Sequence, residues 1–112
     1  MRFAIPLAEG KLTMHFGHCE NFAIIDTDEK GTITNEEILT PPPHEPGVLP
    51  KWLGEEIKAT MVLAGGMGEK AQAIIKRFGC EVVVGCEPKD PKELIADYFA
   101  RNLASGTNAC DH

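Results

Sequence analysis

The sequence is short of several things, and each shortage removes a class of function. No apolar run approaches the ~20 residues that a membrane-spanning helix needs. The opening Met1-Arg2-Phe3-Ala4-Ile5-Pro6 carries a lone cation and no apolar segment of signal-peptide length. The expectation is a cytoplasmic protein with no membrane partner. Positive charge is scarce: eleven Lys and Arg against seventeen Asp and Glu leave a formal net charge of −6. With neither a Lys/Arg run nor an aromatic–basic stripe, nucleic acid is not an expected partner. The four cysteines, at 19, 80, 86 and 110, include no Cys-x-x-Cys pair. That removes the best evidence for zinc-ribbon, rubredoxin-like and thioredoxin-like readings. Two disulfides are conceivable, but in a reducing compartment thiols or metal ligands are expected instead. There is no internal repeat and no low-complexity segment. What remains, 112 residues with 43% hydrophobic and 25% charged side chains, suits one globular domain with a real core.

Against this background one stretch stands out: Thr13-Met14-His15-Phe16-Gly17-His18-Cys19-Glu20. Two of the four histidines and one of the four cysteines fall within five positions of it. Imidazole nitrogen and thiolate sulfur suit soft or borderline metals, and Gly17 lets the backbone turn donors on either side toward one point. The plainer alternative is loop packing for His15 and Phe16 and a solvated surface position for His18.

The rest of the chain supplies a scaffold. Arg2 to Leu7, Asn21 to Asp26 and Thr32 to Leu39 read as three strands, the second and third joined as a hairpin by the turn at Gly31. Pro41 to Gly47 reads as a stiff connector. Leu49, Trp52, Leu53 and Ile57 recur at helical spacing and predict a helix over about 48–58. Met61 to Ala64 is wholly apolar, as a buried parallel strand should be. Ala71, Ile74, Ile75 and Phe78 mark a second helix ended by Gly79. Glu81 to Val84 is the fifth strand. Pro91 opens a third helix with a stripe of Leu94, Ile95, Tyr98, Phe99 and Leu103. The domain is expected over 1–104, with 105–112 as a flexible tail.

The resulting β-β-β-α-β-α-β-α order predicts an α/β domain, a five-stranded mixed sheet with strand two antiparallel and helices on its faces. Strands one and four should be neighbours. The segments following strands one, three, four and five then open at one edge, where ligands of open α/β sheets bind. They carry His15, His18 and Cys19; His44; Gly65 to Gly68; and Cys86. Cys80 falls at the opposite edge and is expected to be core.

Gly65-Gly66-Met67-Gly68 lies between a strand and a helix, where close backbone approach and free helix-terminal N–H groups suit an anion. It lacks the Gly-Lys-Ser/Thr ending of a P-loop and the full Gly-x-Gly-x-x-Gly fingerprint, so neither ATP hydrolysis nor dinucleotide binding is indicated. An anionic metal–sulfur cluster would use amide donors here and sulfur or nitrogen donors opposite. Met67 could join with its thioether, although a gap-filling role is the commoner one. A tight structural turn is the alternative for the whole motif. Cys110 and His112 add two donors at the chain's end. An extended tail from Ser105 would span ~25 Å, just enough to reach the rim. Catalysis finds little support, because a Cys19–His nucleophile would lack an assigned orienting group or oxyanion donor.

His15-Phe16-Gly17, then Phe22-Ala23-Ile24-Ile25-Asp26, then the Gly65-Gly66-Met67-Gly68 turn, in this element order, resemble the dinitrogenase iron–molybdenum cofactor-binding family, the NifX-like group. The resemblance covers nearly the whole chain. It implies a ribonuclease-H-like fold without nuclease activity. It also implies a non-catalytic role in binding or carrying an iron–molybdenum or related metal–sulfur cofactor or its precursor. Partners would then be that cofactor and the cofactor-synthesis or acceptor proteins. The Cys110-x-His112 ending looks like that of some stand-alone members, whereas His18-Cys19 adds donors that many members lack. Metal ligands are therefore expected among His15, His18, Cys19, Cys110 and His112, with Gly65, Gly66, Met67 and Gly68 contacting the cofactor. An interaction or regulatory module that kept the fold without a cofactor is the competing reading.

Overall fold

The structure, a computed structural model, describes residues 1–13, 16, 19–42 and 47–100. Its centre is β1 (Arg2–Ala8), whose Phe3, Ala4 and Ile5 are completely buried. A strand buried on both faces needs apolar residues at successive positions, and this one has them. β1 turns at Glu9 and Gly10, both with positive φ, into the two-residue β2 (Lys11–Leu12), which pairs back onto it antiparallel. β3 (Asn21–Thr27) pairs antiparallel with β1, and β4 (Ile33–Leu39) pairs antiparallel with β3. β5 (Met61–Leu63) lies parallel to β1 on its other side, and β6 (Glu81–Val83) parallel to β5. The order is β4-β3-β1-β5-β6, with β2 attached to β1.

The sheet therefore has six strands where the sequence predicts five. The extra strand is too short to show any periodicity and sits inside the connector that reads as a loop. The other relations are as expected: the second long strand is antiparallel, and β1 and β5 are neighbours.

Helices cover both faces. On one face α1 (Val48–Trp52) and α2 (Glu69–Arg77) bury Leu49 and Ile75 against Ala4, Phe22, Ile24 and Val62. On the other, α3 (Pro91–Phe99) buries Leu94 and Ile95 against Phe3, Ile5, Ile25 and Leu63. Asp90 caps α3 by accepting from the Lys92 N–H at 2.9 Å, and Pro91 occupies the first turn, where its missing N–H costs nothing.

The helix expected over about 48–58 changes character midway. After Trp52 it continues as a π-helical segment, Leu53–Ile57, ended by Lys58 in the left-handed conformation. Tertiary contacts hold this wider turn. The Arg2 guanidinium donates to the Ile57 carbonyl at 2.8 Å, and Phe78 lies where a Cβ on Gly54 would have to go. Leu103, expected on the stripe of the third helix, and the tail from 105 lie outside the described residues.

Candidate functional site

The carboxyl ends of β1, β4, β5 and β6 share one edge of the sheet, and three of the segments leaving that edge are bonded together. The Phe16 N–H donates to the Gly66 carbonyl at 3.0 Å, joining the segment after β1 to the glycine turn after β5. On its other side the turn accepts from β6: Gly85 N–H to Gly65 carbonyl at 2.9 Å, and Cys86 N–H to Ala64 carbonyl at 3.1 Å. Both ends of the 13–20 segment return to β1, through Thr13 N–H to Pro6 carbonyl at 2.9 Å and Glu20 N–H to Leu7 carbonyl at 2.7 Å.

Side chains beneath the edge explain why the segment comes back to the sheet. Phe16 is buried and meets Phe22 edge-on at 5.8 Å between ring centres, and Phe22 in turn meets Trp52 at 5.6 Å. Such pairs add to simple burial because ring edge and ring face carry opposite partial charge. Phe16, the middle residue of His15-Phe16-Gly17, is thus an anchor driven into the core. It is covalently flanked by His15 on one side and the turn-permitting Gly17 on the other.

The glycine turn is built asymmetrically. Gly65, Gly66 and Met67 are buried, while Gly68 is exposed. Gly68 occupies the N-cap of α2 in extended conformation (φ −65°, ψ 154°) and supplies no side-chain cap. A Cβ on Gly68 would meet nothing within 4 Å. No side chain of Gly68 stands at the N-terminus of α2, where the helix dipole favours negative charge. Gln72 steadies the turn, donating from its side-chain amide to the Met67 carbonyl at 2.9 Å.

The two described sulfur atoms proposed for this site point elsewhere. Met67 is completely buried in the cluster that contains Phe16 and Phe22, so its thioether fills the core. Cys19 belongs to the same cluster at 4% exposure, and burial pushes its thiol up to about 11. A metal ligand must be a thiolate, and a thiol held protonated in the core is not in the state that the donor role expected of Cys19 requires. Cys80 and Cys86 are likewise buried with thiols pushed up to about 11, Cys80 in the core beyond the far edge as expected. All three are free thiols. His15, His18, His44, Cys110 and His112 lie outside the described residues. Among the described residues, no three His, Cys, Asp or Glu side chains gather as a metal site.

Comparison with known proteins decides the family. The sequence model of the dinitrogenase iron–molybdenum cofactor family matches residues 1–101. The chain belongs to that family. An uncharacterized protein of Methanocaldococcus jannaschii is 30% identical over 86 residues, which are 73% of this chain and 72% of the relative. The crystal structure of the protein PH0822 superposes with a TM-score of 0.88 at 25% identity, covering all of both chains. The apo form of the orange protein from Desulfovibrio gigas superposes with a TM-score of 0.74 at 18% identity, over 96% of this chain and 93% of that one. This last likeness is one of fold. The mixed six-stranded sheet with helices on both faces is the framework these proteins have in common. No helix among the described residues is long and apolar enough to cross a membrane.

Within the family frame, the signal that sequence reasoning missed is Phe16. It reads as incidental packing in a donor-rich loop, yet its amide and its ring are what connect that loop to the glycine turn. The alternation of donors around a single aromatic was the available clue.

Proposed function

We propose that this family member binds and carries an iron–molybdenum or related metal–sulfur cofactor, or a precursor of it, without catalysing a reaction on it. The cargo would pass between cofactor-synthesis or acceptor proteins in the cytoplasm. A ribonuclease-H-like motif is the fold this proposal assumes, and the apolar Phe3, Ala4 and Ile5 of the central strand support a version of it without a carboxylate centre. The observation that carries the proposal is the Phe16–Gly66 hydrogen bond. It supports a site between the His15–His18 segment and the open N-terminus of α2.

The residues fit an anionic cluster in two respects. Gly68 is exposed and puts no side chain at the N-terminus of α2, and imidazoles suit the metals of such clusters. His15 and His18 would be the first protein ligands, with Cys110 and His112 as further donors from the end of the chain. Cys19 can ligate only after its thiol leaves the core, and Met67 contributes through its backbone at Gly65–Gly68. The burial of Cys19 and Met67 favours the second reading, a module of this fold that works through protein contacts alone.

Anaerobic purification with metal and sulfide analysis separates the two. The carrier reading predicts a coloured protein, or one reconstituted by iron, molybdenum or copper sulfide to a fixed metal content that survives gel filtration. A colourless protein that takes up none of these would sustain the second reading.

A further inference from the structure

The opposite face of the sheet carries a surface that the cofactor reading does not use. Among the described residues β4 is the terminal strand of the sheet, paired to β3 on one side only, and most of its seven residues are exposed. An uncovered edge strand is a template for another strand, because its outward N–H and C=O groups lack partners. Antiparallel pairing places Ile38 beside Ala23 and Glu36 beside Ile25, so these four share a face, while Glu37 beside Ile24 lies on the other. On that shared face lies a groove of about 390 Å³, floored by Leu7, Ala23, Ile25 and Ile38. Ile38 is 61% exposed, an unusual place for so apolar a residue.

The charges around the groove select what can lie there. Glu36 and Asp90 line it against one cation, Lys92, and Glu37, next along β4, borders it at the strand's edge. The Lys92–Glu36 pair, 3.4 Å apart, has both side chains well exposed, so it closes the groove only weakly. A second copy of the chain, paired antiparallel through β4 in a register centred on Glu36–Glu37, would set these carboxylates against one another, which opposes that self-pairing. A basic strand meets no such penalty.

We infer that β4 and its groove dock an extended, basic segment of a different protein, added as a further strand to the sheet. The register fixes its pattern. A residue opposite Ile38 should be apolar and enter the groove, and the next two, opposite Glu37 and Glu36, should be Lys or Arg. Main-chain pairing would supply affinity and the side-chain pattern specificity. Because the groove reaches Leu7, Ile38 and Asp90, it lies toward the edge that carries the glycine turn, yet on the other face from Phe16 and Met67. A docked partner would leave that site uncovered. This inference goes beyond the carrier reading and stands whether or not a cofactor binds.

The test uses the full chain labelled with ¹⁵N and the probe peptide acetyl-Tyr-Thr-Val-Lys-Lys-Val-Thr-amide. Saturable amide shifts are expected over Ile33–Leu39, Ala23, Ile25 and Asp90–Lys92, and not at Phe16 or Gly66. The same peptide with both Lys replaced by Glu should bind at least about tenfold more weakly, as should the wild-type peptide to Glu36→Lys/Glu37→Lys protein. Ile38→Ser should weaken binding while the spectrum elsewhere stays that of the parent. Equal binding of the acidic peptide, shifts centred away from β4, or no shift at millimolar peptide would overturn the inference. So would a dimer in sedimentation that the Glu36→Lys/Glu37→Lys change alters, since the edge would then belong to a second copy.

Discussion

Phe16 donates its backbone N–H to the carbonyl of Gly66 at 3.0 Å, and its ring is buried against Phe22. Two turns some fifty residues apart are thereby held as one unit, by a bond that any residue but proline makes and by a ring that few residues replace. The site's shape depends on the ring. Phe16→Ala should cost about 3 kcal/mol of stability by denaturant unfolding. It should also loosen cofactor retention, since the segment loses its anchor. Phe16→Leu should recover most of both. If Phe16→Ala retains a reconstituted cluster as the parent does, the anchor has no part in the site.

Glycines at the two ends of this face make opposite predictions. Gly68 is open and in a backbone conformation any residue adopts, so Gly68→Ala should change stability by no more than about 0.5 kcal/mol. A cluster seated on the α2 amides would feel the added methyl, and binding should weaken. Gly54→Ala drives a methyl into Phe78 and should destabilise by about 1–3 kcal/mol. Its effect on cofactor binding should be no larger than the loss of folded protein explains. Thermal melts and reconstitution of the two variants side by side check both.

The buried thiols give a pH dependence of definite sign. Burial pushes Cys19, Cys80 and Cys86 up to about 11, so the folded chain holds three protons that the unfolded chain releases near its ordinary thiol value. Their contribution is fully present at neutral pH and is lost as pH rises between about 9 and 11. The slope is about 1.4 kcal/mol per pH unit for each thiol. Urea unfolding at pH 8, 9 and 10 should show this decline, and Cys80→Ala should make it shallower. The native thiols should also resist iodoacetamide at pH 8 and react once urea unfolds the chain.

No cleavage of nucleic acid is expected. Metal-dependent nucleases gather carboxylates around their ions, whereas the central strand here presents Phe3, Ala4 and Ile5, all wholly buried. An RNA–DNA hybrid incubated with the purified protein and Mg²⁺ or Mn²⁺ should stay intact. Cleavage that persists through successive purification steps would contradict this.

How much of this was legible in the sequence depended on where each feature's cause lies. β1, β3 and the place of β5 beside β1 follow from local apolar runs and from the short connections between them, and they are found as expected. β2 was not legible, because two residues carry no period. Its pairing rests on the left-handed Glu9–Gly10 turn and on Leu12 N–H reaching the Lys89 carbonyl at 3.1 Å, across the chain. The π-helical segment was hidden for the same reason, since Arg2 and Phe78 shape it from a distance. At the site, the glycine turn and the shared edge were readable. The state of Cys19 was not. A cysteine is a soft ligand in one setting and a small apolar side chain in another, and only the packing around Phe16 and Phe22 assigns it to the core.

The His15 segment is proposed to hold a metal–sulfur cargo. The most direct measurement compares parent, His15→Ala and Cys80→Ala proteins, each reconstituted anaerobically with the same metal sulfide and passed through gel filtration. Bound metal per protein is read by elemental analysis, and binding is followed by quenching of Trp52, the sequence's one tryptophan. His15→Ala should keep the parent's fold and melting behaviour but lose most of its metal, whereas Cys80→Ala, altered at the far edge, should keep its metal. Equal metal content in the parent, His15→Ala and His18→Ala would overturn the carrier reading and leave the segment as packing alone.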